Sequence, residues 1–310
     1  MLKYTLKYRM LRKACKAFRH NKKFSVPADV LREKYREKER TIYFPDRAWS
    51  RKLEYECRVE QWGVTTMLTQ KSTTKALLYI PDGRMLQFPY PKDYRLFEEL
   101  ALKTGRDVVI PYYPPCINCS ISDAVKIVYE AYKHISVEYG TGNVAVAGCS
   151  SGGNLALALV SHINVMAEGV PMPELLYVAS PEMCIRTPEE RVLAEQLEKS
   201  DIIQSVGTLD TYRDLITNGK EQPDYMLYPQ LGIYDGLEHA YVCFADSEVL
   251  YAMCDELVSR MEDAGAEVEL EIGIGMYHAY PVSRRVKDTF LGHYNMLCYL
   301  MTSRGESLFS

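Results

Sequence analysis

From about Lys75 onward the 310-residue chain alternates short apolar runs with amphipathic stretches of helical period, and this alternation narrows the folds open to it. Ala76–Ile80, Val108–Tyr112, Asn143–Gly148, Glu174–Ala179, Ala240–Ala245 and Glu267–Ile272 have the length of strands. Several are apolar at nearly every position, as strands are when helices cover both faces of a sheet. Ser122–Glu138, Gly153–Ala167, Glu248–Ala264 and Ser283–Met301 read as helices. Strands alternating with helices predict an α/β fold, a central and mostly parallel sheet flanked by helices. Ahead of this block, Tyr55–Gln70 reads as two strands of an antiparallel hairpin turning through Trp62-Gly63. The length suits one large domain over residues 1–310, able to bury its own core without disulfides or metal. Two segments stand outside the alternation: residues 1–50, rich in charge, and residues 186–223. Both read as helices and are expected to form a cap, the second opening on the helix start Thr187-Pro188-Glu189-Glu190.

The chemistry concentrates at Gly148-Cys149-Ser150-Ser151-Gly152, a G-x-S-x-G pattern. The pattern is common by chance, but here Val144-Ala145-Val146-Ala147 precedes it and the helix-forming Asn154–Leu159 follows. A strand reversing into a helix holds the central serine in a strained turn with its hydroxyl above the sheet. Ser150 is therefore the candidate nucleophile, and Ser151 the competitor by position. A serine nucleophile needs a histidine base, which comes last in this chain order. Of six histidines, His278 alone follows a predicted strand on a loop, Gly273–His278, before the final helix. The acid that orients it should follow Ala240–Ala245, where Asp246 and Glu248 compete.

These residues resemble the hormone-sensitive-lipase-like branch of the α/β-hydrolases, which includes bacterial acetyl esterases. The resemblance runs from about Leu77 to the C-terminus and rests on four stretches. The elbow Gly148–Leu155 resembles the family's Gly-Asp-Ser-Ala-Gly-Gly-Asn-Leu. Ser180-Pro181 is similar to its Ser-Pro pair, and Gly275-Met276-Tyr277-His278 to its Gly-Met-x-His. Counting back without gaps from Ala264-Gly265 sets Glu248-Val249-Leu250 on its acid motif, which favours Glu248 over Asp246. The resemblance implies an α/β-hydrolase fold and hydrolysis of short-chain acyl esters, with Ser150, His278 and Glu248 as a triad and no cofactor or metal. The chain departs from the family where His-Gly-Gly-Gly should stand, reading Pro81-Asp82-Gly83-Arg84. Oxyanion donors are then expected from the N–H groups of Ser151, Gly83 and Arg84. The Arg84 side chain offers, alternatively, a contact for a substrate anion.

Charge and composition remove other classes. Against 37 Lys and Arg stand 41 Asp and Glu, a net charge of −4 that argues against a nucleic-acid partner. No stretch approaches the roughly 18 apolar residues of a membrane span. The charge-interrupted start, without the apolar run of a signal peptide, is read as cytoplasmic. Nine scattered cysteines fit free thiols, and Cys116-x-x-Cys119 lacks the second ligand pair of a metal site. Tyr90, Tyr112 and Tyr113 are expected on loops facing the site. The partner implied is a small-molecule ester, and the sequence leaves a homodimer open. Two other readings stand beside the esterase: a weakly catalytic binding protein on the same scaffold, and an amidase, peptidase or acyltransferase sharing the triad.

Overall fold

The apolar runs form strands whose alternate side chains enter two separate cores. The computed structural model describes residues 4–45, 52–70, 73–283 and 286–301. Its strands are β1 (Glu54–Glu60), β2 (Gly63–Thr69), β3 (Ala76–Ile80), β4 (Asp107–Tyr112), β5 (Val144–Cys149), β6 (Leu176–Ala179), β7 (His239–Ala245) and β8 (Glu267–Gly273). They form one sheet of order β1-β2-β4-β3-β5-β6-β7-β8. β1 with β2 and β2 with β4 are antiparallel, the expected hairpin among them, and every other neighbouring pair is parallel.

The α-helices among the described residues are α1 (Leu6–Ala17), α2 (Ala28–Tyr35), α3 (Tyr94–Thr104), α4 (Ile121–Tyr139), α5 (Ser151–Met166), α6 (Pro188–Leu197), α7 (Val206–Thr217), α8 (Asp224–Leu227), α9 (Cys254–Asp263) and α10 (Phe290–Met301). Leu78 and Ile80 of β3 and Val146 of β5 point to the face covered by α4, α5 and α9, through residues such as Val128, Leu157 and Leu257. Leu77, Tyr79, Ala145 and Ala147 point to the opposite face, beneath Phe97 of α3 and Met296 of α10. Burial on both faces is why these strands carry no polar alternation. Most element ends shift by one or two residues, and larger differences arise at three places. α3 was not expected. The stretch from Glu248 begins as a 3-10 turn, Val249–Met253, before α9. The final helix begins at Phe290, after a 3-10 turn at Lys287–Thr289.

The topology gathers the site. The chain runs from β3 outward to β4 and returns to β5 on the other side of β3, so the strand order reverses between β3 and β5. Loops leaving the carboxyl ends of two such strands diverge and open a crevice. Pro81–Arg84 leave β3 and Ser150 leaves β5, one on each side of that crevice. Parallel β6, β7 and β8 bring Ser180, Glu248 and His278 to the same edge.

The two segments expected as a cap pack on one another. Thr211 Oγ1 in α7 donates to Val26 O at 2.9 Å, and Thr208 Oγ1 donates to Asn21 O at 3.1 Å. Arg32 of α2 donates to Asp214 O at 2.9 Å. α6 begins at the helix start read from the sequence, closed by a capping box of Thr187 with Glu190. Residues 1–3 and 46–50 of the first segment lie outside the described residues, as do residues 284–285 of the final helix reading.

Candidate active site

Ser150 sits between β5 and α5 with φ 54° and ψ −124°, a left-handed backbone that a residue with a Cβ adopts only under constraint. The glycines on either side explain how the turn closes. A Cβ at Gly148 would stand 2.2 Å from Gly152 O, and one at Gly152 would stand 2.1 Å from Ile80 O. No larger residue fits, so the pattern is a packing requirement before it is a chemical one. α5 then starts at Ser151, whose N–H has no partner within the helix and lies at the positive end of its dipole.

The three residues singled out in the sequence come together. His278 Nε2 lies 2.9 Å from Ser150 Oγ, and His278 Nδ1 lies 2.8 Å from Glu248 Oε2. Glu248 offers only acceptors, so Nδ1 carries the proton and Nε2 presents a lone pair to the serine. The buried Glu248 also accepts from Ser180 Oγ at 2.8 Å and from Ala245 N at 2.8 Å, which fixes its second oxygen. Ser180 Oγ in turn accepts from Ala279 N at 3.0 Å, tying the histidine loop to the acid. Asp246, the alternative acid, faces elsewhere: its Oδ1 accepts from Gly275 N at 2.7 Å and holds the turn before His278. Burial opposes the imidazolium of His278, but the hydrogen bond and charge of Glu248 outweigh it and raise the pKa above the ordinary histidine value.

The loop after β3 departs from expectation. Arg84 and Met85 both have positive φ, 52° and 55°, so the backbone takes a left-handed course with no glycine at either position. Gly83 N donates to Ser151 Oγ at 3.3 Å, which leaves that N–H beside the elbow. Arg84 N, the other oxyanion donor expected from this loop, donates to Asp82 Oδ1 at 3.2 Å. The Arg84 guanidinium already has protein partners. Its Nη1 donates to Glu182 Oε1 at 3.2 Å and to Gln204 Oε1 at 3.0 Å, and its Cζ lies 4.5 Å from the centre of the Phe24 ring.

Glu182 and Gln204 were not found from the sequence. Glu182 is fully buried, and its Oε2 stands 3.4 Å from Ser150 Oγ. Gln204 Nε2 donates to Glu182 Oε1 at 3.2 Å and lies 3.4 Å from His278 Nε2. The legible signal was a lone carboxylate in the apolar run Leu175–Ile185, since an unpaired charge is rarely buried without a role. Asp201 holds Gln204 in place by accepting from the N–H groups of Ile203, Gln204 and Val249 at 2.8, 2.9 and 2.9 Å. Burial pushes its carboxyl up to about 6 against those three bonds.

A cavity of about 810 Å³ reaches His278 and the Asp82–Arg84 loop, with Phe24, Tyr35, Tyr79 and Tyr277 on its walls. Of the tyrosines expected to face the site, none is on the cavity wall, but Tyr113 lies against the loop after β3 and the Ser151 hydroxyl. Tyr112 ends β4, Tyr113 donates to Pro81 O at 2.5 Å, and Tyr90 donates to Gln87 Oε1 at 2.8 Å. Among the described residues no helix is long and apolar enough to cross a membrane, and no group of three or more His, Cys, Asp or Glu is placed to hold a metal ion.

A parallel sheet with a serine elbow, a histidine loop and an acid at one carboxyl edge defines an α/β-hydrolase arrangement. A sequence-family model described as alpha/beta hydrolase fold matches residues 87–282, and the chain belongs to that family. An esterase of Acinetobacter venetianus is 24% identical over 213 residues, 68% of this chain and 69% of that protein. Esterase LipU of Mycobacterium tuberculosis is 24% identical over 224 residues, 70% of this chain and 74% of that one. Among solved structures, an esterase from the bacterial hormone-sensitive lipase family superposes with a TM-score of 0.72 at 18% identity, covering 90% of this chain and 98% of the other. An esterase/lipase from an uncultured bacterium gives a TM-score of 0.75 at 17% identity, covering 96% and 99%.

Proposed function

We propose that the protein is a serine carboxylesterase that cleaves short-chain acyl esters through an acyl-enzyme. The observation that carries this reading is the continuous chain Ser150 Oγ–His278–Glu248, with contacts of 2.9 and 2.8 Å at the carboxyl edge of the sheet. Ser150 Oγ attacks the ester carbonyl while His278 Nε2 takes the hydroxyl proton, and Glu248 stabilises the resulting imidazolium. The tetrahedral oxyanion meets the N–H of Ser151 at the start of α5 and the N–H of Gly83, once the latter releases the Ser151 hydroxyl. The carbon–oxygen bond to the alcohol then breaks, and the alcohol departs with the proton from His278. Water attacks the acyl-serine, His278 accepts its proton and returns it to Ser150 Oγ, and the carboxylic acid leaves.

The α1–α2 and α6–α7 segments act as a cap over this edge, with Phe24 and Gln204 reaching down to Arg84. The charged Arg84–Glu182 pair lies beside Ser150 and gives a long apolar acyl chain a polar neighbour in place of an apolar wall, which disfavours such chains. Across p-nitrophenyl esters from acetate to decanoate, kcat/KM is expected to peak at butyrate or shorter. A peak at decanoate would contradict both the cap and the chain-length reading, and no hydrolysis of any member would favour a binding protein on this scaffold.

The pH profile follows from the state of His278. Only the neutral imidazole accepts the serine proton, so kcat/KM is lost as pH falls through its pKa. Because that pKa is raised, the acid limb should have an apparent pKa above the ordinary value of about 6.5. A limb centred clearly below that value would mean that the contact with Glu248 does not persist in solution.

A further inference from the structure

Glu182 has no part in the proton path through Ser150, His278 and Glu248, yet it occupies the position next to the nucleophile. Its backbone is pinned to the elbow from both sides. Glu182 N donates to Ser150 O at 2.9 Å, and Asn154 Nδ2 donates to Glu182 O at 2.8 Å. Its Oε1 is satisfied by Arg84 and Gln204, each at 3.2 Å. Its Oε2 faces the Ser150 hydroxyl at 3.4 Å, a proton that His278 takes at shorter range. A fixed negative charge here opposes the negative charge that develops during acyl transfer, and Arg84 only partly offsets it. For the ester reaction alone, an apolar residue would serve better.

The difficulty sharpens once the serine is acylated. The ester oxygen of an acyl-serine carries no proton, so Glu182 Oε2 loses its facing donor and becomes a buried acceptor without a partner. A donor on the acyl group itself restores it. A substituent on the carbon next to the carbonyl stands three bonds from Ser150 Oγ, about 2.7–3.7 Å by standard bond lengths. With Oε2 itself 3.4 Å from Oγ, a substituent that points to the same side comes within hydrogen-bonding distance of Oε2.

We infer that Glu182 is a specificity-determining residue that selects acyl groups carrying a hydrogen-bond donor, a hydroxyl or an ammonium, on the carbon next to the scissile carbonyl. The inference rests on the serine-esterase reading and deepens it by naming the acyl class. Arg84 and Gln204 are positioning residues: they hold Oε1, which leaves Oε2 facing Ser150 Oγ, where the acyl group is attached. The hydroxyl and ammonium cases share one contact and differ in charge, so their relative rates tell which the site takes.

The test compares methyl propionate, methyl lactate and methyl alaninate, the latter two as both enantiomers, by pH-stat hydrolysis with the full-length protein. Fluorophosphonate labelling of Ser150 is run in parallel. One enantiomer of lactate or alaninate should exceed propionate in kcat/KM by about tenfold or more, the scale of a hydrogen bond to a charged acceptor. Glu182→Gln should bring that ratio to within about threefold of unity, since the amide lacks the charge and can turn its NH2 toward the substrate. A wild-type preference for propionate over all four donor-bearing esters overturns the inference, as does an unchanged ratio in the variant. The wild-type ratios decide by themselves should Glu182→Gln fail to fold. Labelling at Ser150 together with an absent preference defeats this inference and leaves the esterase reading standing. Absent labelling and absent hydrolysis of every ester would remove both.

Discussion

Ser150→Ala is expected to lower kcat on p-nitrophenyl acetate by about 10⁴–10⁶-fold, the scale seen when the nucleophile is removed from a serine–histidine–acid unit. The fold should persist, because the substitution removes one oxygen and leaves the packing of Gly148 and Gly152 untouched. His278→Ala should cost about as much, and the double variant little more, since the parts act on the same proton. Ser151→Ala separates the neighbouring serine. The Ser151 hydroxyl donates to Asp82 Oδ1 at 3.1 Å and accepts from Gly83 N, whereas the His278 imidazole bonds Ser150 Oγ. Measured kcat should fall far less for Ser151→Ala than for Ser150→Ala. Retention of more than about a tenth of the activity in Ser150→Ala would place the nucleophile elsewhere.

Glu248→Gln should lower kcat by about 10³–10⁴-fold, because an amide in place of the carboxylate can turn an N–H toward His278 and stabilise the wrong tautomer. It also leaves the Ser180 hydroxyl and the Ala245 N–H, which now meet a carboxylate oxygen at 2.8 Å, with a weaker acceptor. Asp246→Asn should cost less than about tenfold, its carboxylate serving the turn at Gly275 and not the imidazole. Steady-state kinetics of the two variants side by side ranks them. The reverse ranking would transfer the orienting role to Asp246.

The fold, and the meeting of Ser150, His278 and Glu248 at one sheet edge, were legible because each rests on a local pattern. Strands buried on both faces left unbroken apolar runs, and the elbow glycines are demanded by contacts near 2 Å that any side chain would violate. The choice of Glu248 over Asp246 turned on counting through the helix that follows, and of the two carboxylates it is Glu248 that hydrogen-bonds His278. α3 was missed although Leu96, Phe97, Leu100 and Ala101 have helical spacing and Gly105 closes the helix in a left-handed cap. Pro89 and Pro91 just before it gave the segment the look of a loop.

The loop after β3 and the ionic cluster behind it were not legible, for a different reason. Arg84, Glu182 and Gln204 lie far apart in sequence, on the loops after β3, after β6 and between α6 and α7. Their pairing is a property of the closed fold, and periodicity carries no information about it. The left-handed backbone at Arg84 and Met85 likewise contradicts their intrinsic preference and is imposed by the surroundings. Sequence reading failed where local rules are broken, and those residues crowd the nucleophile.

The central claim is that Ser150 is a nucleophile activated by His278. Exposure of the purified protein to a fluorophosphonate probe, followed by proteolysis and mass spectrometry of the adduct, tests it directly. The account predicts one modified residue, Ser150, with labelling lost in Ser150→Ala and His278→Ala and slowed at a pH below the pKa of His278. An adduct on another serine, or an unlabelled protein that still hydrolyses p-nitrophenyl acetate, would contradict it.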